Sequence, residues 1–167
     1  MNFSSKVPNL NNICGIAIDL SSLPVPSYSE TGQPFYDSYL LESNSQSIYY
    51  GKRTVKFEEN SKKSRSGISF ECTCSITFPS VDKDRSIRIE ELLKTKFLII
   101  KLSSGLSFLM GRNDYHQNAD PLIKIDSDEQ LSTVKFTVNS IFPTGFLPQY
   151  NSGLLPHSIP VNLLNTN

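Results

Sequence analysis

Ile68-Ser69-Phe70-Glu71-Cys72-Thr73-Cys74-Ser75-Ile76-Thr77-Phe78 alternates apolar and polar residues without a break. Successive strand side chains point to opposite faces, so this stretch has one apolar face and one polar face. It predicts a long antiparallel strand, half buried in a sandwich or a rolled sheet. Before it, residues 47–59 read as a strand with Val55 and Phe57 inward. Residues 59–67, Glu-Asn-Ser-Lys-Lys-Ser-Arg-Ser-Gly, read as a charged loop. The two strands then make a hairpin with a polar, mobile tip.

After Phe78, Pro79 stops the strand. Asp82, Asp84 and Ser86 are candidate helix caps. Ile89, Leu92 and Leu93 follow at i, i+3 and i+4, which predicts a short amphipathic helix over about residues 86–96. Phe97–Leu102 is apolar apart from Lys101 and reads as a buried strand. Ser103-Ser104-Gly105 turns it back into Leu106–Gly111. A polar loop, a short strand over residues 121–125 and an alternating strand over residues 131–142 complete the pattern. Val134, Phe136, Val138 and Ser140 share one face of that last strand.

Upstream, residues 13–20 suit a first strand with Ile16, Ile18 and Leu20 on one face; Asp19 then needs a wet opposite face. Residues 21–47 are a long irregular stretch broken by Pro24, Pro26, Gly32 and Pro34, and Tyr28, Phe35, Tyr36 and Tyr39 are its aromatic anchors. A loop of this length in a compact domain is usually functional or partner-bound. Residues 35–41 fit a short strand or a turn of helix equally well.

The domain plan is therefore an arm over residues 1–12, a β-sandwich domain over 13–142 and a second arm over 143–167. The second arm contains Pro143, Pro148, Pro156 and Pro160 and no Asp, Glu, Lys or Arg. Disordered tails are usually charged and poor in apolar residues. Leu147, Tyr150, Leu154, Leu155, Ile159 and Val161 instead anchor this one on something, either its own domain or a neighbouring subunit.

The chain has 167 residues, enough for one domain with a real core. Ala17 and Ala119 are its only alanines, whereas Ser and Asn are abundant, which favours strands and turns over long helices. Sixteen basic and sixteen acidic residues cancel, so there is no global field for nucleic acid. The local basic concentration is Lys52, Arg53, Lys56, Lys62, Lys63 and Arg65. It reads as a solvated hairpin or as a contact for a nucleic-acid backbone or an acidic partner, with Lys62, Lys63 and Arg65 at its tip. No apolar run follows the first residues as in a signal peptide, and none approaches the roughly 20 residues of a membrane span. The expectation is a soluble protein made in a cytoplasm.

No catalytic constellation is visible: there is no phosphate loop, nucleophile elbow or metal signature. Cys72 and Cys74 share a strand face, and buried thiols of a reducing compartment are the simpler reading. A metal pair would need further ligands, and His116 and His157 stand in no ligand spacing. Asp126, Asp128 and Glu129 read as a solvated turn, since an EF-hand's glycine and distal glutamate are missing. The expectation is a non-enzyme with no cofactor.

Taken together, ISFECTCSITFPS, IRIEELLKTKFLIIKLSSGLSFLMG and STVKFTVNSIFPTGFLP resemble the core of small virion proteins of tailed bacteriophages of Bacteroides-type hosts, including crAss-like phages. More broadly, the order of elements is similar to the tail-tube and tail-terminator fold. The resemblance covers about half the chain. It implies a mainly β fold, a β-sandwich or rolled antiparallel sheet with one short flanking α-helix and extended terminal arms. It also implies a cyclic homo-oligomer, six- or twelve-fold, in the virion, assembled in the host bacterial cytoplasm. Its partners would be portal, neck or tail proteins, with DNA passing through the lumen without sequence recognition, and no membrane. Loop 21–47 and the apolar arm exceed a minimal tube subunit and fit a neck or connector ring. The rival expectation is a monomeric β-sandwich binding module for a carbohydrate or host-surface ligand, using exposed rings of Tyr28, Phe35, Tyr36 and Tyr39.

Overall fold

The computed structural model describes residues 12–19, 26–39, 45–51 and 54–148. Strand β1 is Ile13–Asp19 and helix α1 is Gln33–Asp37, followed by β2 (Gln46–Ser47), β3 (Lys56–Ser64) and β4 (Gly67–Pro79). Helix α2 is Arg85–Leu93, and β5 (Phe97–Leu102), β6 (Ser107–Met110), β7 (Leu122–Ser127) and β8 (Leu131–Ser140) follow. Two four-stranded antiparallel sheets result, the first in the order β2-β1-β5-β6 and the second β3-β4-β8-β7. Their inner faces share one core, to which β4 contributes Cys72, Cys74, Ile76 and Phe78 and β8 contributes Val134, Phe136 and Val138. Ile16, Ile18, Leu98, Ile100 and Met110 meet them from the first sheet, and Leu92 of α2 joins the same cluster. The mainly β, sandwich-like expectation holds.

The opening strand is central in its sheet. Its apolar face is core from Cys72 to Phe78, and its polar face pairs Thr73 with Thr137, Ser75 with Lys135 and Thr77 with Thr133 on β8. The segment before it departs from expectation in two ways. Residues 47–59 are not one strand: Gln46–Ser47 pairs with β1, while Lys56–Ser64 pairs with β4 in the other sheet. Between them the chain changes sheets through a turn in which the Thr54 N–H donates to Gly51 O and the Gly51 N–H to Thr77 O on β4. The supposed charged loop is strand as far as Ser64, leaving Arg65 and Ser66 as a two-residue turn before Gly67. A polar Lys/Ser sequence has little strand preference of its own; residue-by-residue pairing with β4 overrides it.

The first sheet is buried on both faces. Ala17, Phe97, Ile99 and Leu109 look away from the main core into a second cluster built from Phe35, Tyr36, Tyr39 and Leu147, with half-buried Tyr28 beside it. A strand buried on both faces reads as a continuous apolar run, which is the reason for Phe97-Leu98-Ile99-Ile100. Asp19 therefore does not lie on a wet face. It is buried, and the Tyr39 hydroxyl donates to its carboxylate. The long irregular segment is in part a cover, with α1 as its single turn of helix.

The exit after β8 locks that cover. Phe146 bridges to Phe108 of β6, and the Leu147 N–H donates to Ser107 O. The Tyr36 hydroxyl donates to Pro143 O at 3.2 Å. Gly145 crosses the Tyr36 ring so closely that an added Cβ would lie 2.1 Å from ring carbon Cδ2, so no other residue fits there without moving the ring. The helix is shorter than expected. It ends at Leu93, which is exposed, while Asp84 stands at its N-terminus without a side-chain cap bond. Asp82 instead accepts the Asp84 N–H and pairs with Arg88 at 2.8 Å.

Because the loop aromatics are core, Phe35→Ala should destabilise the protein by about 3–5 kcal/mol in equilibrium denaturation. An exposed binding-site ring would cost within about 0.5 kcal/mol. The urea midpoint decides between them.

Candidate assembly surface

The second sheet's hairpin outruns its sheet. β8 pairs with β4 only from Ser140 opposite Phe70 down to Leu131 opposite Pro79. Beyond that point Lys62 faces Ser69, Lys63 faces Ile68 and Ser64 faces Gly67, a two-stranded ribbon about 10 Å long. Lys62 and Lys63 project to opposite faces and Arg65 stands in the turn, all exposed. Residues 61–69 contain no acid, and among the described residues none of the three cations forms an ion pair. Ile68, apolar and about half exposed, lies on the same ribbon. The tip residues singled out from sequence are thus brought together.

The other candidates separate. Leu147 is buried against its own subunit. Tyr150, Leu154, Leu155, Ile159 and Val161 lie outside the described residues, as does the arm before Asn12. Tyr28, Phe35, Tyr36 and Tyr39 do cluster, but Phe35, Tyr36 and Tyr39 are almost fully buried. Phe35, Tyr36 and Tyr39 therefore offer no exposed ring face to a carbohydrate.

A buried polar centre, missed in the sequence reading, holds these aromatics. Arg112 is 2% exposed and its guanidinium lies between the rings of Phe35 (4.5 Å) and Phe142 (4.7 Å). Its Nε donates to both Asp114 carboxylate oxygens, at 2.9 and 2.7 Å, and its Nη2 to Tyr28 O at 3.0 Å. The Ser140 hydroxyl donates to the same carboxylate at 2.9 Å. The centre ties the cover, the β6 exit and the end of β8 together. Its carboxylate is consumed by the guanidinium and a hydroxyl, so it is a clamp and not an acid–base pair. Arg-x-Asp directly after a buried strand was the available signal.

Two concavities are lined by described residues. One, of about 440 Å³, is lined by Asn113, His116, Asp120, Leu122, Thr137 and Asn139 among others. His116 Nε2 lies 3.1 Å from the Asn139 side-chain nitrogen, and no cysteine, serine or lysine lines the space. The other, of about 300 Å³, lies between α2 and β2, with Ile48, Tyr49, Ile87 and Arg88 in its walls. Arg88 stacks over the rings of Tyr49 and Phe78, and its Nη1 is buried without a protein partner.

Among the described residues no group of three His, Cys, Asp or Glu side chains converges as a metal site, and no helix is long and apolar enough to cross a membrane. Cys14 is exposed, at an irregularity where β1 shifts register against β5. Burial pushes both the Cys72 and the Cys74 thiols up to about 12. No family model, curated protein or solved structure matches this chain.

Two measurements follow from the thiols. At pH 8 one thiol, Cys14, should react quickly with a disulfide reagent, and Cys72 and Cys74 only after denaturant is added. The ordinary values are 9.0 for these thiols and 10.0 for Tyr36, which burial likewise pushes to about 12. Above pH 9 the unfolded chain loses protons that the folded chain retains, so the folded state binds more. Stability should be fully present below about pH 9 and fall steadily toward pH 12, read as a declining urea midpoint.

Proposed function

We propose that this protein is a structural component of a tailed-phage particle, forming a ring in the neck, connector or tail through which DNA passes. The observation that carries the proposal is the β3–β4 ribbon. A two-stranded ribbon with both faces exposed buries no core and is marginal by itself. Its extension beyond β8 adds nothing to the fold, yet it carries three unpaired cations and an exposed Ile68. Such a feature serves a contact outside the subunit. Sheet edges support the same reading: β3 and β2 are outermost in their sheets, and unpaired strand edges are templates for a neighbouring chain. The resemblance of the core sequence to phage ring proteins supplies the particle. The role is non-catalytic and its place is the virion.

The rival reading, a monomeric module for a carbohydrate or host surface, loses the site proposed for it, because its aromatics form the second core cluster.

Native mass spectrometry and electron-microscope imaging of the full chain should show closed rings of one stoichiometry. A monodisperse monomer at every concentration, alone and with other particle proteins, would overturn the proposal. Replacing Lys62, Lys63 and Arg65 by Ala together should leave folding stability within about 0.5 kcal/mol. The same variant should lose much of the salt dependence of its attachment to neighbouring particle components, because exposed charges act over a screened range of about 10 Å at 0.1 M salt.

A further inference from the structure

The first sheet has two unlike edges. At one, β6 is followed in space by the Phe146–Leu147 exit, so the described chain ends on that side at Pro148. At the other, β2 pairs with β1 through Gln46 and Ser47, and no described strand lies on its outer side. Beside this open edge is the cleft between β2 and α2. Its rim carries Tyr49 and Ile87, 56% and 60% exposed, which are large apolar surfaces without a described cover. Ile18, Ile48 and Leu92 line it too, together with the polar Gln46 and Ser47 and the acids Asp84 and Glu91, and Arg88 offers the buried, unpartnered Nη1.

We infer that this cleft receives residues 149–167 of a second copy of the chain. The segment suits it chemically. It has no charged residue to desolvate, and it offers Leu154, Leu155, Ile159 and Val161 to the apolar rim and backbone or Asn carbonyls to Arg88. Gln149–Leu155 contains no proline, so it can add to the open β2 edge, while Pro156 and Pro160 prevent further strand extension. At most about 3.5 Å per residue, the segment reaches about 60 Å, ample to cross an interface. Direction favours a neighbour over the same subunit. The segment starts at the β6 edge, the cleft lies at the β2 edge, and the outer face between them is occupied by the aromatic cover. In a head-to-tail ring the β6 edge of one copy meets the β2 edge of the next, a heterologous contact that closes by rotation. This inference rests on the ring reading and specifies its interface.

The test uses the full chain with Cys14→Ser, Ile87→Cys and one of Leu154→Cys, Leu155→Cys, Ile159→Cys or Val161→Cys. Native mass is recorded first, then the protein is oxidised and run without reductant. A ladder of covalent dimers and larger species, from at least one pairing, is the expected result. A ring mass with no ladder overturns the inference and leaves the ring intact as a reading. A monomer by native mass, crosslinked or not, overturns both. As a second variant, Ile87→Arg alters an exposed position, so the fold is retained by circular dichroism. Rings should be lost in favour of the 18.7 kDa monomer. Rings that persist with this variant overturn the inference.

Discussion

Burial of the first sheet on both faces is the constraint on which the rest of the subunit depends. Ile100 and Leu98 of β5 face the second sheet, while Ile99 and Phe97 face away from it. A plain two-layer sandwich would leave Ala17, Ile99, Leu109 and Phe97 in water, a contiguous apolar patch of the kind that drives association. The chain answers with a third, partial layer. Phe35, Tyr36, Tyr39 and Leu147 lie over that patch, each contributing about 2–3 kcal/mol if fully transferred from water. What looks in sequence like a functional loop and the start of an assembly arm is, as far as Leu147, part of the folding problem.

A cover made of irregular chain brings polar groups with it, and these must be satisfied in place. Arg112 and Asp114 do this for the Tyr28 carbonyl and the Ser140 hydroxyl, while Arg112 Nη1 and the Tyr28 hydroxyl stay without a hydrogen-bond partner among the described residues. Guanidinium and carboxylate are both nearly buried, so the pair itself adds little net stability after desolvation. Its value is positional. One planar cation lies against two rings and reaches the Tyr28 carbonyl, so the 26–39 segment, the β6 exit and β8 share one geometry. Removing a single partner would strand a buried charge, which is costlier than never having had the pair. Tyr39 on Asp19 repeats the arrangement at the other end of the cover.

The strands of the core were legible because each leaves a periodic signature. Cys72 to Phe78 and Val134 to Val138 alternate, and Phe97 to Leu102 runs apolar, for the reasons of burial given above. The errors fall where the signature is absent. Lys56–Ser64 is a strand with almost no buried side chain, so its residues carry no apolar period, and its existence follows from its partner β4. Leu93 fits the helical spacing yet is exposed, since α2 buries only a narrow stripe, Leu92 with half-buried Ile89. The aromatics of residues 28–39 have no period at all. Composition could mark them as anchors but not say what they anchor to. Of the candidate surface, the basic tip was readable as a charge run, whereas its projection beyond β8 is a matter of register between strands distant in sequence.

The two sheets end up with different relations to the outside. The second sheet keeps one wet face of Thr, Ser, Lys and Glu, and its edge strand β3 carries Lys56, Glu58, Glu59, Lys62 and Lys63. Charges on an edge suppress indiscriminate pairing, so this edge admits a partner only where charges match. The first sheet is covered on its outer face over Ala17, Phe97, Ile99 and Leu109, and its β2 edge is two residues long and flanked by apolar Tyr49 and Ile87. A short edge is a poor template for indiscriminate aggregation. The two exposed edges thus differ in kind, one charged and one short with large apolar side chains beside it. Under the proposed ring reading, edges so unlike suit head-to-tail addition of identical chains, since different features meet at a heterologous contact.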